Sequence, residues 1–323
     1  MFQQHPRILV IISLILLCIT IYISFVIGTI PIHFKDILQK ISTGEASNID
    51  TIIDLRLPRI LIALCVGAML SASGALLQAV LQNPLAEAQL LGVSSGALVA
   101  RTILLLLAPQ LFFYIPLLSF VGGMLPFLML FILSVKFKLL PTRMILIGVA
   151  MFAMLTGLLD LFAQNPFLKM PQGFTMKTWN DVKMIVLSAV IGLAMTIILM
   201  SKVNLLALEE KQANNLGFHI TKYRLIVGMV AVFLASASSA IVGPLAFVGL
   251  IIPHIIVRKL IGANYKQVLP LSIIIGAWFV VMTDLLGRTI HPPLEIPANV
   301  IMMLIGGPVL IYLICKGAVN DAY

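Results

Sequence analysis

Residues 8–27 read ILVIISLILLCITIYISFVI, twenty positions without a charge, entered from Arg7. As a helix that run crosses the ~30 Å hydrocarbon core of a bilayer, and it is longer than the apolar region of about 7–15 residues in a signal peptide. Val26 and Gly28 make a poor cleavage site, so the run reads as a retained transmembrane helix. The remainder of the chain has the same character. Of its 323 residues, 61% are hydrophobic and 10% are charged, with a mean hydropathy of +1.12. Soluble domains carry about 25% charged residues, and a globule of this size has too little interior for so many apolar side chains. A soluble enzyme, a secreted disulfide scaffold and a disordered chain are therefore excluded. Cys18, Cys65 and Cys315 lie far apart in apolar runs and frame neither a disulfide nor a metal site. The net charge of +9 contains no block of five or six basic residues, so it signals membrane topology, not nucleic-acid binding.

Working outward, Pro31 to Arg59 is polar and mixed in sign, an extramembrane loop with a short helix expected at Phe34–Gln39. Nine further apolar segments follow, at about 59–81, 94–108, 114–135, 142–164, 183–201, 223–241, 245–260, 267–286 and 297–315. Gly122-Gly123, Gly243-Pro244, Pro253 and Gly306-Gly307-Pro308 interrupt them, which membranes tolerate where neighbouring helices re-satisfy the backbone. The expectation is an all-α polytopic membrane protein of ten spans, a single transmembrane domain over 1–323. Ten spans place both termini on one side. With that side inside, twelve basic residues fall at inner ends and loops (Arg7, Lys136, Lys138, Arg143, Lys202, Lys211, Lys222, Arg224, Arg258, Lys259, Lys266, Lys316). Eight fall outside (Lys35, Lys40, Arg56, Arg59, Lys169, Lys177, Lys183, Arg288), the bias expected for cytoplasmic termini. Glu87 counts among the inner charges. Small residues recur four apart at Gly67, Ser71 and Ala75 and at Ala231, Ala235, Ser239 and Gly243, faces suited to close helix packing.

Few residues could carry chemistry. Gly92-Val93-Ser94-Ser95-Gly96 matches the GxSxG nucleophile pattern, which needs a strand–turn–helix setting and a base such as His254. Here it follows a polar turn and opens a helix, so Ser94 reads as an N-cap, and an intramembrane serine hydrolase is a remote alternative. No HExxH and no Walker A sequence is present, so ATP is not hydrolysed on this chain. Arg101, Asp160 and Asp284 lie within spans and must face protein or water. Asp284 and Arg288 stand four apart and are expected to pair; Arg101 either pairs with Asp160 or snorkels. The inner stretch from Lys202 to Lys222 alternates Leu205, Leu206, Leu208, Ala213, Leu216 and Phe218 with polar residues. It is amphipathic, and either rests on the membrane or enters a soluble partner's groove. On the outer side Arg56, Arg59 and Arg288 stand at helix ends, as interfacial anchors or as forks for carboxylates of a docking protein.

Six blocks in order, LRLPR (55–59), GAMLSASGALLQAVLQNPLAEAQLLGVSSGA (67–97), LLALEEKQANNLGF (205–218), GPLAFVGLIIPHIIVRKLIG (243–262), DLLGR (284–288) and EIPANVIMMLIGGP (295–308), resemble the FecCD family of permeases. These are the membrane subunits of ABC importers for iron-siderophores, haem and vitamin B12, and within the family the sequence is most similar to the haem permeases of Gram-positive bacteria. The resemblance implies a vitamin-B12-permease-like bundle of ten helices (a type II ABC importer) in the bacterial plasma membrane. It implies a second permease copy as a homodimer, two cytoplasmic ATPase subunits that hold ATP and Mg, and an extracellular or periplasmic substrate-binding protein. No cofactor or metal is expected on this chain, and no enzymatic activity. The family's coupling helices fall on about 204–220, which carries Leu205, Leu208, Glu210, Ala213, Leu216 and Gly217 into contact with the ATPase; Glu209 stands where the family usually has glycine. Its outer arginines, which take carboxylates of the binding protein, map onto Arg56, Arg59 and Arg288. A Thr-Ser gate before an arginine maps onto Pro141 and Thr142, with one hydroxyl missing. The function implied is inward passage of an iron chelate, haem or a siderophore. An ion-gradient-driven secondary transporter is the alternative that the residues alone leave open.

Overall fold

The computed structural model describes residues 6–27, 48–137, 141–163, 173–206, 208, 212, 215, 217–262, 264–291 and 294–315. These residues form ten helices: α1 (Pro6–Val26), α2 (Asn48–Val80), α3 (Val93–Leu107), α4 (Ile115–Phe137), α5 (Pro141–Ala163), α6 (Trp179–Leu206), α7 (Ile220–Val242), a broken α8, α9 (Tyr265–Thr289) and α10 (Ala298–Cys315). A 3₁₀ turn, Pro109–Tyr114, leads into α4. Seven of the ten are long and apolar enough to cross a membrane. α3 and α10 are shorter apolar helices, and α8 is assembled from Val248–Leu250, a π-helical stretch Ile251–Arg258 and Lys259–Ile261. The chain is a multi-pass membrane protein.

The small-residue faces decide what lies in the middle. α2 packs against α9, α6, α7 and α8, and α7 packs against α2, α4, α6 and α3. A methyl group at Gly67 would stand 2.3 Å from the Gly276 carbonyl oxygen, and one at Gly74 would stand 1.9 Å from the Gly249 carbonyl oxygen. Backbones this close gain dispersion contacts that larger side chains would forbid. Ser71, Ala75, Ala231, Ala235 and Ser239 are all buried, so this stripe serves packing. By contrast α1 and α5 are mostly exposed, with Ile11, Ile15, Tyr22, Leu146, Met154 and Leu161 on the outside. In a bilayer such faces meet lipid or another apolar protein surface.

Several expectations need correction. The polar loop does not extend to Arg59: α2 begins at Asn48 and carries Leu55-Arg56-Leu57-Pro58-Arg59 inside the helix. Pro58 stands well inside α2, where packed neighbours can re-satisfy the carbonyl that its missing N–H leaves free. The segment expected at 245–260 is a helical run over 248–261 that passes from α to π and back, behind the interruption expected at Gly243-Pro244. Gly243 has φ +83° and Phe247 has φ +69°, so the chain turns before Val248, and Pro253 sits in the π-helical register. The short helix expected at Phe34–Gln39 lies outside the described residues.

Ser94 does not cap α3. The N-cap is Gly92 in the left-handed region, and Ser94 lies in the first turn, where its Oγ accepts a hydrogen bond from Ser239 Oγ at 2.9 Å. Its neighbour is a hydroxyl, not an imidazole, and the strand–turn–helix setting of a serine nucleophile is missing here. Asp160 is exposed, and the carboxylate whose charge acts on Arg101 belongs to Asp181.

Candidate functional site

Two ends of the bundle carry the polar residues. At the end where α1 finishes and α2 begins, the three arginines converge on one clasp. The expected Asp284–Arg288 pair is absent. Asp284 takes Arg59 instead, with Nε at 2.9 Å and Nη2 at 2.8 Å. The other edge of the same guanidinium reaches Glu295, with Nη1 at 2.9 Å. Helical spacing allowed Arg288 to reach Asp284, but α2 crosses α9 at this level and delivers a planar fork that meets the carboxylate through two N–H groups. Arg288 turns to α1 and donates through Nη2 to the carbonyl and hydroxyl of Ser24. Arg56 is 8% exposed and donates to the carbonyls of Phe25 at 2.7 Å and Val26 at 3.2 Å. These last carbonyls of α1 have no helical partner of their own, so Arg56 caps that helix.

The clasp extends further. Thr175 donates to Glu295 at 3.0 Å, Trp179 donates to Asp54 at 3.0 Å, and Trp278 donates to Thr20 at 3.1 Å. Lys177, in the turn before α6, donates to the Ile241 carbonyl at 2.6 Å. Burial pushes its ammonium down to about 8; the charge of Arg101 acts the same way and that of Asp181 against it. α1, α2, α9, the segment before α10, the turn before α6 and the end of α7 are thus tied together at one end.

At the opposite end, the connection between α6 and α7 is held at both roots. Leu206, fully buried, closes α6, and its carbonyl accepts from Gln82 Nε2 at 3.0 Å. Asn204 accepts from the Tyr265 amide at 2.7 Å and donates to Asn264 at 3.0 Å, which binds α6 to the start of α9. On the α7 side Phe218 stacks on Tyr223 with ring centres 4.5 Å apart, and Lys202 Nζ lies 5.7 Å from the Tyr223 ring centre. Leu205 and Leu208 are half-buried and Gly217 is exposed with φ +68°, a conformation that glycine adopts without strain. Glu210, Ala213 and Leu216 lie outside the described residues, as do the side chains of Pro141 and Thr142, whose backbone opens α5.

One residue of interest escaped the sequence. Glu87 counts by sequence among the inner charges, and it is only 5% exposed. Its carboxyl group accepts hydrogen bonds from the backbone N–H groups of Gly249 and Phe247. Beside it Gln78 Nε2 donates to the Gly249 carbonyl at 3.1 Å. A carboxyl oxygen at a helix start fills the place of a capping side chain, and burial pushes the group up to about 8 against the pull of its two amide donors. The turn from 81 to 92 therefore folds back into the bundle and holds the broken start of α8. The one available signal was an acid flanked by apolar residues in QNPLAEAQ (82–89).

Ten helices wound about a small-residue interior, clasped by buried charge at one end and by an anchored connection at the other, make a multi-pass permease bundle. The chain belongs to the FecCD transport family, which matches residues 16–316. It is 56% identical over 320 residues to the "Probable heme-iron transport system permease protein IsdF" of Staphylococcus aureus strain MSSA476, covering 99% of each chain. The protein of the same description from strain Newman matches to the same extent. A solved metal-chelate type ABC transporter in an inward-facing conformation superposes with a TM-score of 0.77 at 28% identity, over 96% of this chain and 99% of that one. The chain of Streptococcus pneumoniae PsaBC, solved in complex with Fab, superposes at 0.50 with 18% identity over 87% and 95%, a likeness of fold alone.

Proposed function

We propose that this chain is the membrane-spanning subunit of an ABC importer that passes haem inward, driven by ATP hydrolysed on a separate subunit. Two copies of the chain line the pathway, two ATPase subunits bind the cytoplasmic end, and a substrate-binding protein delivers cargo at the outer end. Both termini then lie in the cytoplasm, at the end richer in basic residues. The cargo follows from the 56% identity to permeases described as heme-iron transporters. The mechanical part is supported above all by the anchoring of the α6–α7 connection. A push on 204–220 is delivered to the bundle at these roots. It passes through Leu206 and Gln82 to the turn that holds α8, and through Asn204 to the start of α9. The bundle then changes between two packings, as alternating access requires. No covalent step takes place on this chain.

The test is uptake into vesicles containing the permease, its ATPase and its binding protein. Haem should accumulate with ATP present and ion gradients collapsed. Full uptake without ATP but with a gradient would identify a secondary transporter and overturn the proposal. A parallel arm with a ferric hydroxamate siderophore fixes the cargo, since preferential uptake of the siderophore would overturn haem while leaving the ATP dependence intact.

A further inference from the structure

A cavity of about 440 Å³ lies between α1 and the start of α9, at the end of the bundle opposite the arginine clasp. Its rim carries Arg7, Lys266 and Gln267, and its floor is apolar, built from Val10, Ile11 and Leu271. Arg7 and Lys266 are both exposed, and neither has a carboxylate partner among the described residues. Beyond the rim the floor runs directly into the outer face of α1, where Ile8 is 49% and Ile15 53% exposed. From these features we infer that the groove seats an anionic phospholipid, with its phosphate between Arg7 and Lys266 and its first methylenes on Val10, Ile11 and Leu271.

Three observations select this occupant. Two exposed cations lining one groove, with no carboxylate partner among the described residues, suit an anion. The apolar floor excludes a small hydrated anion as the natural ligand, because it would leave that surface wet for no gain. Finally, the groove opens along a helix whose outer face is apolar throughout, so its ordinary neighbour in a membrane is an acyl chain. Basic rims over apolar floors at one membrane surface are how helical bundles hold anionic head groups. A lipid seated here would pin the start of α1 to the start of α9, close to Asn264 and Asn204 where the α6 anchor is made. The site is independent of the cargo, so its failure would leave the transport proposal untouched.

The experiment compares lipid retention by the full-length protein, purified in detergent and offered equal amounts of phosphatidylglycerol and phosphatidylcholine, by native mass spectrometry. Wild type should retain phosphatidylglycerol preferentially, and the preference should survive millimolar inorganic phosphate. Arg7→Ala and Lys266→Ala should each weaken it about fivefold, and the double variant should abolish it. Val10→Trp, which fills the floor and keeps both charges, should lower retention equally. Lys136→Ala with Arg143→Ala removes two exposed cations elsewhere at the same end and should leave the preference unchanged. Equal loss in that control would mean general surface charge and overturn the site, as would displacement by phosphate. If Val10→Trp instead dissociated a dimer without altering lipid selectivity, the groove would be a seam between copies and the lipid assignment would fail.

Discussion

Arg59 carries more of the structure than its place in a short basic motif suggests. Its side chain is 13% exposed and that of Asp284 is 4% exposed, so the pair sits inside the bundle. Burying two charges is costly, and the pair persists because the guanidinium fork satisfies the carboxylate geometrically. Removing one member leaves the other uncompensated. Asp284→Asn should therefore lower stability by about 3 kcal/mol, as for other broken buried pairs. Glu295 is more exposed and water replaces it, so Glu295→Gln should cost less than about 1 kcal/mol. Thermal unfolding in detergent, followed through Trp179 and Trp278, measures both. The reverse ranking would show that Glu295, not Asp284, is the partner that holds Arg59.

Among the elements, the crossing of α2 and α8 is set by hydrogen atoms where side chains would stand. Gly74→Ala places a methyl 1.9 Å from the Gly249 carbonyl oxygen, and only backbone can move aside. Separating two helices that Gln78 and Glu87 also tie together should cost about 1–3 kcal/mol or more. Gly157→Ala is the matched control. Nothing stands within 4 Å of the added carbon in α5, so helix propensity alone acts and stability should rise by about 0.5–1 kcal/mol. Equal effects at the two positions would show that α8 can shift freely against α2. These contacts also explain which elements could be read in advance. The long apolar runs of α1, α4, α5 and α9 declare themselves by length. The start of α2 at Asn48 does not, because polar residues at a helix end read as loop until the partners Ser24 and Asp284 are in place; the turn ahead of α8 is signalled by Gly243-Pro244, and only the π-helical register of α8 is not.

Across the whole molecule, the arginine clasp and the α6–α7 connection stand at opposite ends, as an importer driven from one side and loaded from the other requires. Docking of the binding protein is tested at this scale. Arg56 and Arg288 hold backbone and hydroxyl oxygens of α1 at the end where the binding protein is proposed to dock. Arg56→Glu with Arg288→Glu should abolish stimulation of ATP hydrolysis by the binding protein while the permease and ATPase still co-purify. Undiminished stimulation would make these arginines fasteners of α1 only. Arg59 is left out of that test because reversing it would break the Asp284 pair.

Amino-acid sequence alone determined that this chain spans a membrane many times, roughly where each apolar span lies, and to which family it belongs. Those properties follow from hydropathy summed over about twenty residues and from motifs such as QNPLAEAQLLGVSSGA (82–97), which are local. Spacing along one helix offered Arg288 as the partner of Asp284, charge counting gave Glu87 only a side of the membrane, and position made Ser94 a cap. Only the tertiary structure gave Asp284 to Arg59, Glu87 to the start of α8 and Ser94 to Ser239. In each case the deciding atom comes from a helix remote in sequence, and in a low-dielectric interior a buried polar group takes whichever partner packing brings within reach.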